Sequence, residues 1–368
     1  VLITDYELWR ATSAPRPDDD LPRLVYADFL EEAGHDARAE LIRVQCELER
    51  RPTAELRRRE AELLAHATEW RVPGLTGPQT FKRGMIESVE TTAAALVRLA
   101  PGALALHPVR HLRLVNADRW TAELARLDIW RGVESLTLNN NNLGVGDRLQ
   151  LFDAADMPAL KTLSLRNNRL WPEAVAALAE TRVAPQLRRL DLSGNPVMDE
   201  GVATIARHPA FTGLTELIVR SDELSQYECV TVAGARSVAH SWTLSSLTAL
   251  NFEAHYLGDT GLMELVESSN ADRLVDLDLS FNDIGEAGPQ SIVVLVRSRH
   301  LGRLRRLNLA GNGFSTLALE ELANWPRAAL MESIDLRDAD LGRQGREILE
   351  ASPHAAKFLF DPQPPEFV

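Results

Sequence analysis

Only two cysteines, Cys46 and Cys229, occur in 368 residues. They are far apart and in no CxxC pairing, so neither a disulfide framework nor a thiolate zinc knuckle can be assembled, and a reducing cytoplasm is the expected compartment. Basic residues are also in deficit, with 40 Lys and Arg against 53 Asp and Glu. The resulting net charge of −13 argues against a nucleic-acid partner, whose phosphates need a basic face. No run approaches the roughly 18 consecutive apolar residues of a membrane span, so no membrane association is expected. Asp5, Glu7, Arg10 and the run Asp18-Asp19-Asp20 stand where a signal peptide would need an apolar stretch, and a leader ahead of Val1 stays open. HExxH, GxSxG, a Walker loop and a dinucleotide fingerprint are missing, and the nine histidines are scattered without helical pairing. The expectation is therefore no catalytic residue, no metal and no cofactor.

What is present is a repeat. The pattern LxxLxLxxNxL recurs clearly in Val133-Leu136-Leu138-Asn141-Leu143, Leu160-Leu163-Leu165-Asn168-Leu170, Leu187-Leu190-Leu192-Asn195-Val197, Leu274-Leu277-Leu279-Asn282-Ile284 and Leu304-Leu307-Leu309-Asn312-Phe314. Looser copies start at Val109, Leu214, Leu247 and Met331, so successive copies are 24, 27, 27, 27, 33, 27, 30 and 27 residues apart. Within each copy the apolar residues alternate, which buries one face of a short strand and leaves the intervening side chains on the other. The Asn closes the turn and can pair backbone groups that water cannot reach. Downstream phrases such as Val202-Ile205-Ala206 and Leu319-Leu322-Ala323 have the i, i+3, i+4 spacing of amphipathic helices. The pattern is the leucine-rich-repeat signature. A strand plus a full helix per unit of about 27 residues resembles the ribonuclease-inhibitor-like subclass. That resemblance implies an α/β horseshoe solenoid, with parallel strands inside and helices outside.

Ahead of the repeats, helices are expected over 4–11, 21–33, 37–50 and 54–70, followed by a linker from Pro73 to Pro78. The stretch Phe81 to Val89 reads as a single edge strand, followed by a helix over Thr92 to Leu99. At the far end Arg346 to Ala351 continues the last helix, and Lys357 to Phe360 reads as a closing strand. The expected organisation is thus a small all-helical domain at 1–71, linker and cap at 72–108, about nine repeats at 109–341, and a C-terminal cap and tail at 342–368. The unit starting at Leu214 is longer and holds Tyr227, Cys229, His240 and Trp242 in or beside an extra loop. Cys229, His240 and His255 match no ligand spacing, so a loop packed on the solenoid is preferred to a metal site.

The phrase Asp20-Leu21-Pro22-Arg23-Leu24-Val25-Tyr26-Ala27-Asp28-Phe29-Leu30-Glu31-Glu32-Ala33-Gly34, followed by Arg38-Ala39-Glu40-Leu41-Ile42-Arg43-Val44-Gln45, resembles the repeat-companion domain that precedes leucine-rich repeats in bacterial proteins. Phe29 stands where that family usually has Trp. The resemblance implies architecture and a bacterial cytoplasmic setting, and no reaction. The charged cluster Tyr26, Asp28, Glu31, Glu32, Arg38, Glu40, Arg43 and Gln45 is either a docking surface or an internal network holding short helices together. The internal network is preferred, because small helical domains have little core. The run Arg57-Arg58-Arg59, flanked by Glu55, Glu60 and Glu62, reads as a solvated helix face.

Repetition sets equivalent positions side by side, about 4.8 Å apart. The central row on the open strand face runs Arg113, Thr137, Ser164, Asp191, Ile218, Asn251, Asp278, Asn308, Asp335. The alternation of Asn251, Asp278, Asn308 and Asp335 interleaves amide donors between carboxylates that would otherwise repel. Flanking rows add Arg166, Arg189, Glu216, Arg220, Glu253, Asp276, Arg306 and Arg337. Together with Asp191, these are the candidate binding residues. An arc of that kind suits a protein or peptide partner better than a metabolite, which prefers a closed apolar pocket. The expected function is a non-catalytic, monomeric protein-binding scaffold. Regulation of a GTPase, suggested by a GTPase activator that shares the repeat subclass, and a structural module of a larger assembly are the alternatives.

Overall fold

A computed structural model describes residues 19–99, 102–104, 107–222 and 229–361. The expected helix over 4–11, Tyr227 and the tail from 362 lie outside the described residues. The chain divides into two compact units, residues 1–138 with 154–160 and residues 139–153 with 161–368.

The first unit opens with three helices, α1 (Leu21–Glu32), α2 (Asp36–Arg50) and α3 (Ala54–Ala65). Pro22 occupies the first turn of α1, where its missing N–H costs nothing. Gly34, with φ +81°, takes the left-handed position that ends the helix. Thr53 caps α3 by accepting a hydrogen bond from Leu56 N–H. That helix stops at Ala65, and a single 3-10 turn, Ala67–Trp70, replaces the expected helical tail. Tyr26, Ala27 and Leu30 of α1 pack on Ala39, Ile42 and Cys46 of α2, and Met85 joins this core from the sheet.

The expected single strand over 81–89 is instead a hairpin, β1 (Gln79–Lys82) paired antiparallel with β2 (Met85–Thr92). Arg83 and Gly84 both have positive φ, +46° and +78°, the requirement of a two-residue turn matched to strand twist. The turn takes only two residues, which is why strand spacing alone hides it. α4 (Ala93–Val97) follows, shorter than expected. Then β3 (His111–Val115), α5 (Thr121–Leu124) and β4 (Ser135–Thr137) complete the unit, with β2, β3 and β4 parallel.

The second unit is a repeat solenoid. Its strands are β5 (Thr162–Ser164), β6 (Arg189–Asp191), β7 (Glu216–Ile218), β8 (Ala249–Asn251), β9 (Asp276–Asp278), β10 (Arg306–Asn308), β11 (Ser333–Asp335) and β12 (Phe358–Leu359). Each pairs in parallel with the next, in chain order. The intervening helices are α6 (Pro172–Ala179), α7 (Met198–Arg207), α8 (Val232–Ala239), α9 (Gly258–Glu267), α10 (Gln290–Arg297), α11 (Thr316–Ala323) and α12 (Gly342–Glu350). The middle residue of each strand from β5 to β11 is at most 2% exposed, and each such side chain contributes about 2–3 kcal/mol by leaving water.

A ladder of asparagines stitches the coils. Asn195 donates to the carbonyls of Leu165, Leu192 and Ser193, and its Oδ1 accepts from the N–H groups of Asn168 and Leu170. Asn312 does the same for Leu279, Leu309, Ala310, Asn282 and Ile284. In the coil after the long unit, His255 stands in the Asn position. Its Nε2 bonds the Val219 carbonyl and its Nδ1 accepts from Val230 N–H at 3.1 Å. Both ring nitrogens are therefore engaged by backbone, and burial pushes the imidazole pKa down to about 4. Among the described residues no helix is long and apolar enough to cross a membrane.

Candidate functional site

The strand face of the second unit carries the candidate binding residues in three rows. Strand register puts Asp191, Ile218, Asn251, Asp278, Asn308 and Asp335 side by side in the central row. Asn251 Nδ2 and Asn308 Nδ2 both donate to Asp278 Oδ2, at 3.1 and 3.0 Å, while Asp278 Oδ1 accepts from the backbone and hydroxyl of Ser280. The two amides thus flank a carboxylate and replace two repulsions by two hydrogen bonds. Asp191 is held by Ser193 and by the Ser164 hydroxyl. Asp335 departs from the alternation, because its partner is Arg337, two residues on and just past the end of its strand. Burial works against the Asp335 charge, but the side-chain and backbone bonds from Arg337 outweigh it and hold its pKa below the usual carboxylate range.

The flanking rows are also internally paired. Arg189 bonds Glu216 on the neighbouring strand. Arg306 makes a two-pronged contact with Asp276 and reaches Glu332 at 2.6 Å, contacts that raise its already high pKa. On the third row Arg220 sits between Asp222 and Glu253, 3.4 Å from each, and Arg166 is 3.9 Å from Asp222. Burial raises the Glu253 carboxyl; Arg220 opposes the rise, and Asp278 and Asp222 add to it.

A hollow of about 610 Å³ opens over β7 to β11, floored by Ile218 and Ala249 and ringed by Glu216, Asp276, Asp278, Arg306 and Asp335. Of the expected residues, the structure groups these five with Asn251 and Asn308, whereas Arg166, Arg189, Asp191, Arg220, Glu253 and Arg337 lie outside the lining. Glu332 belongs to the site through Arg306 but precedes its strand, so strand alternation gives no cue to it. Phe281 is a further exposed group. It has φ +56°, where the equivalent coils carry Asn140, Asn167 and Gly194, and it is 44% exposed. Its ring lies where a Cβ on Gly311 would stand, so only glycine fits beneath it.

A family model described as Leucine Rich repeat matches residues 184–206 and 274–293, and another described as Leucine Rich Repeat matches 303–325. No curated protein matches the chain. Solved structures do; one is a chain of the structure described as "Crystal structure of Rad7 and Elc1 complex in yeast", 14% identical over 97% of this chain and 96% of that one, with a TM-score of 0.41. Similarity at that level adds nothing about function. The matched segments span β6, β9 and β10 with the helices after them, and the same strand and helix recur between and beyond them, so the chain is a leucine-rich-repeat protein with an α/β solenoid fold.

Proposed function

We propose that this protein is a non-catalytic scaffold that binds a macromolecular partner, a protein or peptide, across the open strand face of its second unit. The observation that carries the reading is the hollow over β7 to β11, half-open rather than enclosed and ringed by charged and amide side chains that pair with one another. Side chains already fixed by neighbours lose little freedom when a partner docks, which favours binding by pre-organisation. The two cysteines are both buried free thiols, in keeping with a reducing cytoplasm. The resemblance of the N-terminal segment to the repeat-companion domain makes a bacterial origin part of the same proposal, and the monomer is taken as the working unit.

Asp278 is a poor probe because it holds four hydrogen bonds of the face itself. Arg306, half-exposed, is the better one. Immobilised protein is exposed to lysate of the source organism, bound chains are identified by mass spectrometry, and the purified partner is titrated against wild type and Arg306→Glu. At least a tenfold loss of affinity is expected, equivalent to about 1.4 kcal/mol. Equal affinity with an unchanged circular-dichroism spectrum moves binding off this face.

A further inference from the structure

Among the described residues, the arginines of the first unit are either matched to acids or exposed. Arg23 is paired with Glu87, Arg43 with Asp28 and Glu31, Arg59 with Glu40 and Glu62, and Arg83 with Asp20 and Glu49. Arg38 is the exception. It is 9% exposed, and its Nη1 is buried without a hydrogen-bond partner. Its Cζ lies over the rings of Trp70 and Phe81, 5.2 and 4.9 Å from their centroids. Aromatic faces stabilise the positive charge but offer no oxygen to the N–H fork. Tyr26 is the one ionisable neighbour that favours the charge, and a phenol is neutral at pH 7. Burial of the guanidinium lowers its pKa to about 10, so the cation persists at a cost that nothing among the described residues offsets with an anion.

His107 lies within electrostatic reach. Its Nδ1 accepts from Ile86 N–H, which puts the ring proton on Nε2. Burial and the nearby Arg38 charge keep the ring neutral down to about pH 3. Among the described residues, this corner of the first unit therefore holds one buried cation beside a neutral imidazole and no acid paired with it.

We propose that Arg38 seats a carboxylate brought by a ligand, either an acidic side chain or a free C-terminus of a peptide. One positive charge in apolar surroundings selects a monoanion, since a dianionic phosphate leaves a buried charge uncompensated. The guanidinium fork matches the two carboxylate oxygens, and a lysine in its place does not. This site belongs to the first unit, and the strand face proposed above to the second.

The test titrates the full chain, by calorimetry at constant ionic strength, with acetate, a blocked peptide carrying one internal Glu, an N-acetylated peptide with a free C-terminus, inorganic phosphate, and chloride as baseline. Saturable binding of at least one carboxylate is expected, weakened tenfold or more in Arg38→Lys and unchanged in Arg306→Glu. The two peptides distinguish side chain from terminus. Should Arg38→Lys fail to fold, the wild-type chain is titrated with the same peptides carrying Gln in place of Glu or a C-terminal amide, and these must lose the binding. Carboxylates no better than chloride, phosphate tighter than every carboxylate, undiminished binding in Arg38→Lys, or undiminished binding of the Gln and amide peptides overturns the proposal.

Discussion

A single buried amide at the turn of a repeat joins two coils. Asn312 is 4% exposed and makes five hydrogen bonds to backbone, so its removal leaves several buried groups without partners. Asn312→Ala is expected to lose on the order of 3–5 kcal/mol, read as a lower urea midpoint at unchanged slope. His255 fills the same role with a titratable ring. Its folded pKa, about 4, lies below the unfolded value near 6.5, so the unfolded state binds the proton more readily. The stability it provides is complete above pH 6.5 and disappears as the pH falls towards 4. The full effect is on the order of 3 kcal/mol, and unfolding curves of His255→Asn between pH 7 and 4.5 should fall less steeply than those of wild type. Sequence shows Asn282 and Asn312 as ladder members by position alone, but not His255, because only the fold reveals that its two nitrogens replace an amide.

At the scale of elements, the β1–β2 hairpin is where the helices of the first unit take hold. Arg23 of α1 reaches the carbonyls of Lys82 and Arg83 as well as Glu87, and Gln45 of α2 bonds the Phe81 carbonyl and Gly84 N–H. Of the charged motif of α1 and α2, Tyr26, Arg38 and Gln45 are buried, while Asp28 and Glu31 pair with Arg43, and Glu40 with Arg59, at the surface. A Cβ at Gly84 would come within 2.1 Å of an Ile42 side-chain carbon and 2.8 Å of its Cα, in a backbone conformation with φ +78°. Gly84→Ala is therefore expected to cost about 2 kcal/mol or more, seen as a lower melting temperature. Helix periodicity located α1, α2 and most of α3 to within a few residues. The turn escaped notice because strand alternation does not report φ.

At the scale of the molecule, each coil is stabilised by its neighbours, and the last one needs a cover. β12 pairs with β11, Leu336 N–H bonds the Leu359 carbonyl at 2.7 Å, and Phe358 is 6% exposed. Truncation after Pro353 uncovers the β11 edge and the core beneath it. The expected result is a melting temperature several degrees lower and self-association by light scattering, as unpaired strand edges promote. A truncated protein as stable and as monodisperse as the full chain shows that β12 is dispensable.

Sequence by itself determined the repeat, the place of each of the nine repeat strands from β3 to β11, and which residues stand on the open face, because these follow from spacing within one short segment. It even anticipated the amides between Asp278 and its neighbours, since a regular repeat makes register readable. Tertiary structure alone decided that Asp335 turns to Arg337, that Glu332 enters the face through Arg306, and that Arg38 is buried with its Nη1 unbonded among the described residues. Those outcomes depend on side-chain reach and on segments distant in the chain, and a distance between such segments is not written in either one.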